Sequence, residues 1–313
     1  MRSFTSSLFI LFIVFTLTSC IEFEEQELVY AHDKENDEIR MTLKYQGVFG
    51  NLDKGQNKQK NSDDVATVDK LNQLQVDQLA SVLNEGQAFF FSNWIFEYKR
   101  GALKEMLEQV KKQPIPEGRV FGKSEEDLIS ALLKEVVIEN TGFYQDEKGR
   151  LCGAQTLKLS NASKVISLAN RVLGRQLKAR LQEMREEMDK KVPNSFTPET
   201  IDLIETKLQE GFPFIRVEGN LITLTMIMTR PDQKRFSEST LKDLPQGARI
   251  EFQDEALLVK IGGKDAREGK LSKKCFEGYL PNGLNHVREN HKKLLLNPKK
   301  VNQRLKKFLA VQE

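Results

Sequence analysis

From Glu38 to Tyr45 the chain alternates without a break. Ile39, Met41, Leu43 and Tyr45 fall on one parity, and Glu38, Arg40, Thr42 and Lys44 fall on the other. A period of two is that of a strand with one buried face. With the polar turn sequence Asp33 to Asp37, this predicts a hairpin of 23–31 with 38–46. The pattern then changes to helical spacing. Val68, Leu71, Leu79 and Val82 lie near one stripe and predict a helix over 64–84, after a polar loop from Gly50 to Asp64. The stretch AFFFSNWIFEYK fits either period, and its aromatic content favours a strand. Helices are expected at 102–112, stopped by Pro114 and Pro116, and from a Ser124/Asp127 cap to about 138.

The strongest periodic signal is one long helix near 161–190. Ile166, Ala169, Leu173, Leu177, Leu181, Met184 and Met188 recur at steps of three and four, behind a Ser160 or Asn161 cap. Its distal half has a narrow apolar face, which predicts a projecting arm or a surface for a partner. Thr197 as N-cap and Pro198 at the first helical position open a further helix to Leu208, closed by Gly211. Hairpins are predicted at 142–146 with 151–159, at 213–217 with 221–229 around Gly219-Asn220, and at 249–253 with 257–261. No repeat of fixed period is present. Antiparallel hairpins interspersed with amphipathic helices define the expected class as α+β. A sub-boundary is expected near 190–198, in KKVPNSFTP.

The amino-terminal stretch LFIVFTLTSCIEFEE adds a location. Leu8 to Leu17 is apolar except for Thr16, and Arg2 precedes it. Ten residues of helix cover about 15 Å, half of a hydrocarbon core of about 30 Å, which suits a signal-peptide core rather than a span. Leu17-Thr18-Ser19-Cys20 resembles the lipobox of bacterial lipoproteins. That resemblance implies a signal peptide at 1–19, cleavage before Cys20, diacylglycerol on its sulfur and a mature body at 20–313. It implies a membrane partner, through acyl chains on Cys20, and an envelope location outside the cytoplasm. With Ile21 rather than aspartate after the cysteine, the outer membrane is favoured. Two or more acyl chains hold a protein stably where one does not. Lipidation of Cys20 leaves Cys152 and Cys275, a candidate disulfide in an exported compartment.

Composition changes the picture little. The chain of 313 residues is 39% hydrophobic and 30% charged, with formal charge +3, an ordinary globular balance. The exception is the C-terminal fifty residues, where Lys264 to Glu313 holds 13 Lys+Arg and 5 Asp+Glu. There Asn297-Pro298 opens a predicted helix with Val301, Leu305, Phe308 and Leu309 on one face. That face either lies on a membrane or, the favoured reading, packs on the body and leaves the lysines solvated.

No catalytic, metal or cofactor motif stands out. His286 and His291 are five apart and do not share a helical face, and His32 falls beside a loop. The carboxylate runs Glu125-Glu126-Asp127, Glu186-Glu187 and Asp63-Asp64 read as helix starts and solvated faces. Export argues against nucleic acid. The expectation is a lipid-anchored structural or interaction module, with a protein partner met through the 161–190 helix or the basic C-terminus. The alternative is an envelope hydrolase or a ligand-binding lipoprotein.

Overall fold

The computed structural model describes residues 21–50, 87–90, 96–112, 122–190, 196–240, 244–275, 292 and 294–310. Cys20, the 64–84 helix, the residues 51–64, Pro114, Pro116, His286 and His291 lie outside the described residues. Among the described residues six helices and eleven strands form antiparallel sheets, an α+β fold. The strands are β1 (Ile21–Asp33), β2 (Glu38–Gly50), β3 (Gln87–Phe90), β4 (Phe96–Lys99), β5 (Val136–Gln145) and β6 (Leu151–Leu159). They continue with β7 (Ile215–Glu218), β8 (Asn220–Ile227), β9 (Ala248–Phe252), β10 (Ala256–Gly263) and β11 (Gly269–Lys274). The helices are α1 (Arg100–Lys112), α2 (Lys123–Glu135), α3 (Ala162–Asp189), α4 (Pro198–Gln209), α5 (Arg230–Thr240) and α6 (Pro298–Leu309).

A five-stranded sheet in the order β11-β1-β2-β6-β5 carries the main core. Leu28 faces Leu43 across β1 and β2, and both are buried beside Tyr45, Phe89 and Leu157. The β3–β4 hairpin closes this face through buried polar groups as well as aromatics. Gln26 donates to Phe89 O at 2.6 Å, and the Tyr45 hydroxyl donates to Gln155 Oε1 at 2.8 Å. Gln26, Tyr45 and Gln155 thereby each have a partner, which the low-dielectric interior requires. The opposite face is covered by α6, whose Val301 and Leu305 pack on Tyr144, Cys152 and Ala154. Burial on both faces explains why β6 is buried from Leu151 to Leu157 instead of alternating. The apolar face of α6 therefore packs on the body, and its cations point outward.

Downstream, β7-β8-β10-β9 form a second sheet backed by α4 and α5. The expected sub-boundary near 190–198 falls between α3 and α4, with 191–195 outside the described residues. The two sheets are tied together. The Tyr30 hydroxyl lies 2.9 Å from Asn220 O and 3.0 Å from Ile261 O, and burial pushes its pKa up to about 12. Asn220 also accepts from the His32 amide and donates to Ala266 O.

Several local expectations need correction. The helix predicted to 138 ends at Glu135, because Val136-Val137-Ile138 enter β5, where β-branched side chains pack better. The cap of that helix is Gly122, whose amide donates to Glu125 Oε2, and Ser124 sits inside the first turn. Asn161 does not cap α3 with its side chain. It takes a left-handed turn (φ 48°), and Asp37 of the β1–β2 turn receives the amides of Ala162 and Ser163 instead, each at 2.9 Å. Nor does α3 project as an arm. Leu177, Leu181, Met184 and Met188 are covered by α4, Phe214 and Ile227, so this stripe is no partner surface.

Cys152 and Cys275 are both free thiols. Cys275 donates its amide to Glu24 O on β1, and β2 then separates β1 from Cys152 on β6. Three strand spacings of about 4.8 Å put them roughly 14 Å apart, beyond the ~7 Å between Cα atoms that a disulfide allows. Burial pushes the Cys152 thiol up to about 11. An aromatic disulfide reagent is therefore expected to modify Cys275 in the folded chain and Cys152 only after denaturation. Equal rates for both thiols in the native chain would contradict this packing.

Candidate functional site

An open groove of about 750 Å³ lies between α3 and the segment that links α4 to β7. One wall is the amino-terminal half of α3, held in place by the Asp37 cap at its start. The other wall is Leu208 to Glu218, set by the left-handed Gly211 (φ 74°) and by Pro213 just before β7. Gly174 of α3 faces this wall, where a Cβ would make ordinary contact with Leu208 at 3.6 Å and Phe214 at 3.7 Å. The groove is apolar where Ile166, Leu208, Phe212 and Ile215 line it. His32 and Asp37 close one end.

A strand edge borders this groove. β7 lies at the border of its sheet and pairs on one side with β8. Thr225 N donates to Phe214 O, so alternation turns the amides and carbonyls of Ile215 and Val217 away from β8. Asn170 of α3 meets the first of these. Its Nδ2 donates to Ile215 O at 2.9 Å, and its Oδ1 accepts from Ile215 N at 2.7 Å. The side-chain amide thus satisfies Ile215 as a neighbouring strand would. Val217, two residues on, has no such partner on the groove side among the described residues. At the far end the His32 ring Nδ1 lies 3.1 Å from Gly219 O.

The charges of the groove are unequal. Asp37 is engaged at the start of α3, and Glu218 pairs with Lys264 at 3.6 Å. Arg171 and Arg216 stand exposed on opposite walls. The Arg216 guanidinium lies 5.9 Å from the Phe212 ring centroid, and neither arginine is in an ion pair among the described residues. The site combines an apolar floor, a free backbone edge and two cations. Ser163, which lines it, donates its hydroxyl to Asp37 Oδ2 at 2.6 Å, and the same carboxylate accepts the Ser163 amide at the start of α3.

Of the carboxylate runs and histidines weighed in the sequence, His32 alone lines this groove among the described residues. Glu125 is buried and accepts from Arg175 and Gln176 of α3, while Glu126 and Asp127 pair with Lys123. Glu186 pairs with Lys190 at 3.5 Å. His32 is half-buried at the groove end, not a solvated loop residue. A second polar cluster joins Thr197, Thr200, Thr229 and Asp232. Asp232 accepts from the Thr197 amide at 2.9 Å and hydroxyl at 3.0 Å, and also from Arg235. Burial works against ionisation of Asp232, yet the bonds from Thr200, Thr197 and Arg235 prevail and hold its carboxyl below the usual range. At 2% exposed it fastens the starts of α4 and α5 and is closed to substrate. Among the described residues no three His, Cys, Asp or Glu side chains gather as a metal site, and no helix is long and apolar enough to cross a membrane.

Sequence reasoning missed the groove. One signal was present: Asn170 is the single asparagine within α3, and asparagine is a poor helix former. Comparison with protein-family models, with characterised proteins and with solved structures finds no match to this chain.

Proposed function

We propose that this chain is a lipid-anchored interaction module of the cell envelope, held to a bilayer through acyl chains on Cys20, that binds an extended acidic peptide segment of a partner protein along β7. The observation that carries the reading is the β7 edge. Asn170 already occupies the position of an added strand at Ile215, and the adjoining Val217 amide and carbonyl face an apolar groove between two unpaired arginines. Strand addition derives affinity from main-chain bonds, and specificity from the side chains that alternate above and below them. Arg171 and Arg216 favour carboxylates at those positions. The anchor reading rests on Leu17-Thr18-Ser19-Cys20, with β1 beginning at Ile21, so that the body follows its tether directly.

The test uses immobilised octapeptides in which valine alternates with glutamate, lysine or serine. The chain is expected to be retained on the glutamate set. Val217→Pro should abolish retention, because proline is tolerated on an edge strand but lacks the amide that the incoming strand needs. Arg171→Glu with Arg216→Glu should weaken it by about tenfold, the value of two exposed ion pairs of up to ~1 kcal/mol each. Equal retention on all three sets, or a Val217→Pro chain that binds like the parent, would refute the peptide site. The anchor is tested by palmitate-analogue labelling in the cell, expected for the parent chain and lost in Cys20→Ala.

A further inference from the structure

The outer face of α6 is a strongly cationic patch. Lys299, Lys300, Arg304, Lys306 and Lys307 are all exposed, and the helix contains no acidic residue. None of the five is in an ion pair among the described residues. At about 100° per residue they spread over an arc of roughly 160°, centred opposite Val301, Leu305 and Leu309, which are buried against the five-stranded sheet. The cations are therefore presented on a rigid helix, not on a loop.

Two exposed leucines lie in the segment that leads into this helix. Leu294 is 53% and Leu296 39% exposed. They are not on a free loop, since the Leu296 amide donates to Phe143 O at 2.7 Å and Leu295 bridges to Phe143. Single exposed leucines are ordinary. Two within three residues, fixed just ahead of five unpaired cations, make the composition of an interfacial membrane surface, with apolar side chains to enter the acyl boundary and cations to meet headgroups. The start of α6 also lies toward the tethered end of the body. Phe143 pairs with Gly153, Gly153 with Tyr45, and Tyr45 with Gln26, only five residues along β1 from Ile21. Five residues of strand cover about 17 Å.

We infer that the cationic face of α6, with Leu294 and Leu296, docks on a bilayer surface rich in anionic phospholipid. This deepens the membrane half of the proposed function, and it stands or falls without the lipid on Cys20. Where a tether exists, it raises the local concentration of this face at the surface.

The test uses residues 20–313 carrying Cys20→Ser, which contain every described residue and cannot be lipidated. Sedimentation is measured with vesicles of phosphatidylcholine alone and with vesicles one third phosphatidylglycerol. Each cation near an anionic surface is worth roughly a fivefold gain in partitioning. Five such gains multiply to about three-thousandfold, so the chain is expected to partition into the anionic vesicles more strongly than into the neutral ones by a factor of that order, and less so at high salt. Replacing all five cations by glutamine should remove the preference, with circular dichroism unchanged because the sites are solvated. Should that variant misfold, Lys300→Gln with Arg304→Gln should still lower anionic partitioning by about twenty-five-fold. Leu294→Ser with Leu296→Ser should lower it by about tenfold. Equal partitioning into both vesicle types, or a glutamine variant that retains the preference, overturns the inference. Anionic binding indifferent to the leucine changes also overturns it, since that result marks a face for soluble polyanions. Loss of palmitate labelling on Cys20 in the cell would leave the vesicle result unchanged, so the two readings fail separately.

Discussion

Gly269→Val is expected to destabilise the fold by about 3 kcal/mol or more, the largest effect of any single substitution considered. Gly269 pairs directly with Tyr30 across β11 and β1, and the tyrosine ring lies over the glycine where a side chain would stand. A Cβ at 269 would fall well inside van der Waals contact of the ring carbons and hydroxyl. Tyr30 cannot move aside cheaply. It is 1% exposed, and its hydroxyl is committed to the carbonyls of Asn220 and Ile261 in the second sheet. The strain therefore reaches both sheets. Urea unfolding of Gly269→Val, Tyr30→Ala and the double variant measures the effect. In the Tyr30→Ala background the valine should cost less than ~1 kcal/mol, giving a coupling of about 2 kcal/mol. The same cost in both backgrounds would show that the ring is not what excludes the side chain.

Glu125→Ala should follow, with a loss of about 3 kcal/mol, at the lower end for a broken buried pair because the partner Arg175 is a third exposed and rehydrates in part. Glu125 is 5% exposed and receives bonds from the Arg175 guanidinium, from Gln176 at 3.0 Å and from the Gly122 amide at 2.9 Å. One carboxylate thus closes the start of α2 and clamps it to the middle of α3. Alanine loses the cap and takes the shared carboxylate from Arg175 and Gln176. Glu125→Gln keeps acceptor capacity and should cost about half as much. The check is the denaturation midpoint at neutral pH, and an alanine variant within ~0.5 kcal/mol of the parent would remove the clamp.

The elements that sequence made legible are those whose burial follows a single period. α3, α4 and the β1–β2 hairpin bury one face each, and their spacing shows it. α4 also carries its own punctuation, with Thr197 accepting from the Thr200 amide and Pro198 at the first turn. β11 was not legible, because Leu271 is the one apolar side chain in GKLSKK and the strand is held by its ladder to β1. α5 escaped because what it buries is polar: Asp232 and Gln233 are each 2% exposed, matched to bonds that sequence cannot foresee. The groove failed for a different reason. His32, Asn170, Arg171 and Phe212 to Val217 converge through tertiary packing, and no local spacing links a helix interior to a strand nearly fifty positions later. The basic face of α6 was visible as a charge excess. Which side of that helix met the body was a question of packing.

The position of β1 has a consequence for synthesis. Its ladder to β2 is made between neighbours in the chain, but its other border waits for Gly269 to Lys274, more than two hundred residues later. Throughout translation that border is an unsatisfied template for any extended segment, its own copies included. Glu22, Glu24, Glu25 and Glu27 cluster on this strand, and repulsion between like-charged copies would discourage self-association before the last strand arrives. A nascent chain stalled ahead of residue 269 therefore presents a different molecule to the quality-control machinery than the finished one, although nearly all of its core is already made.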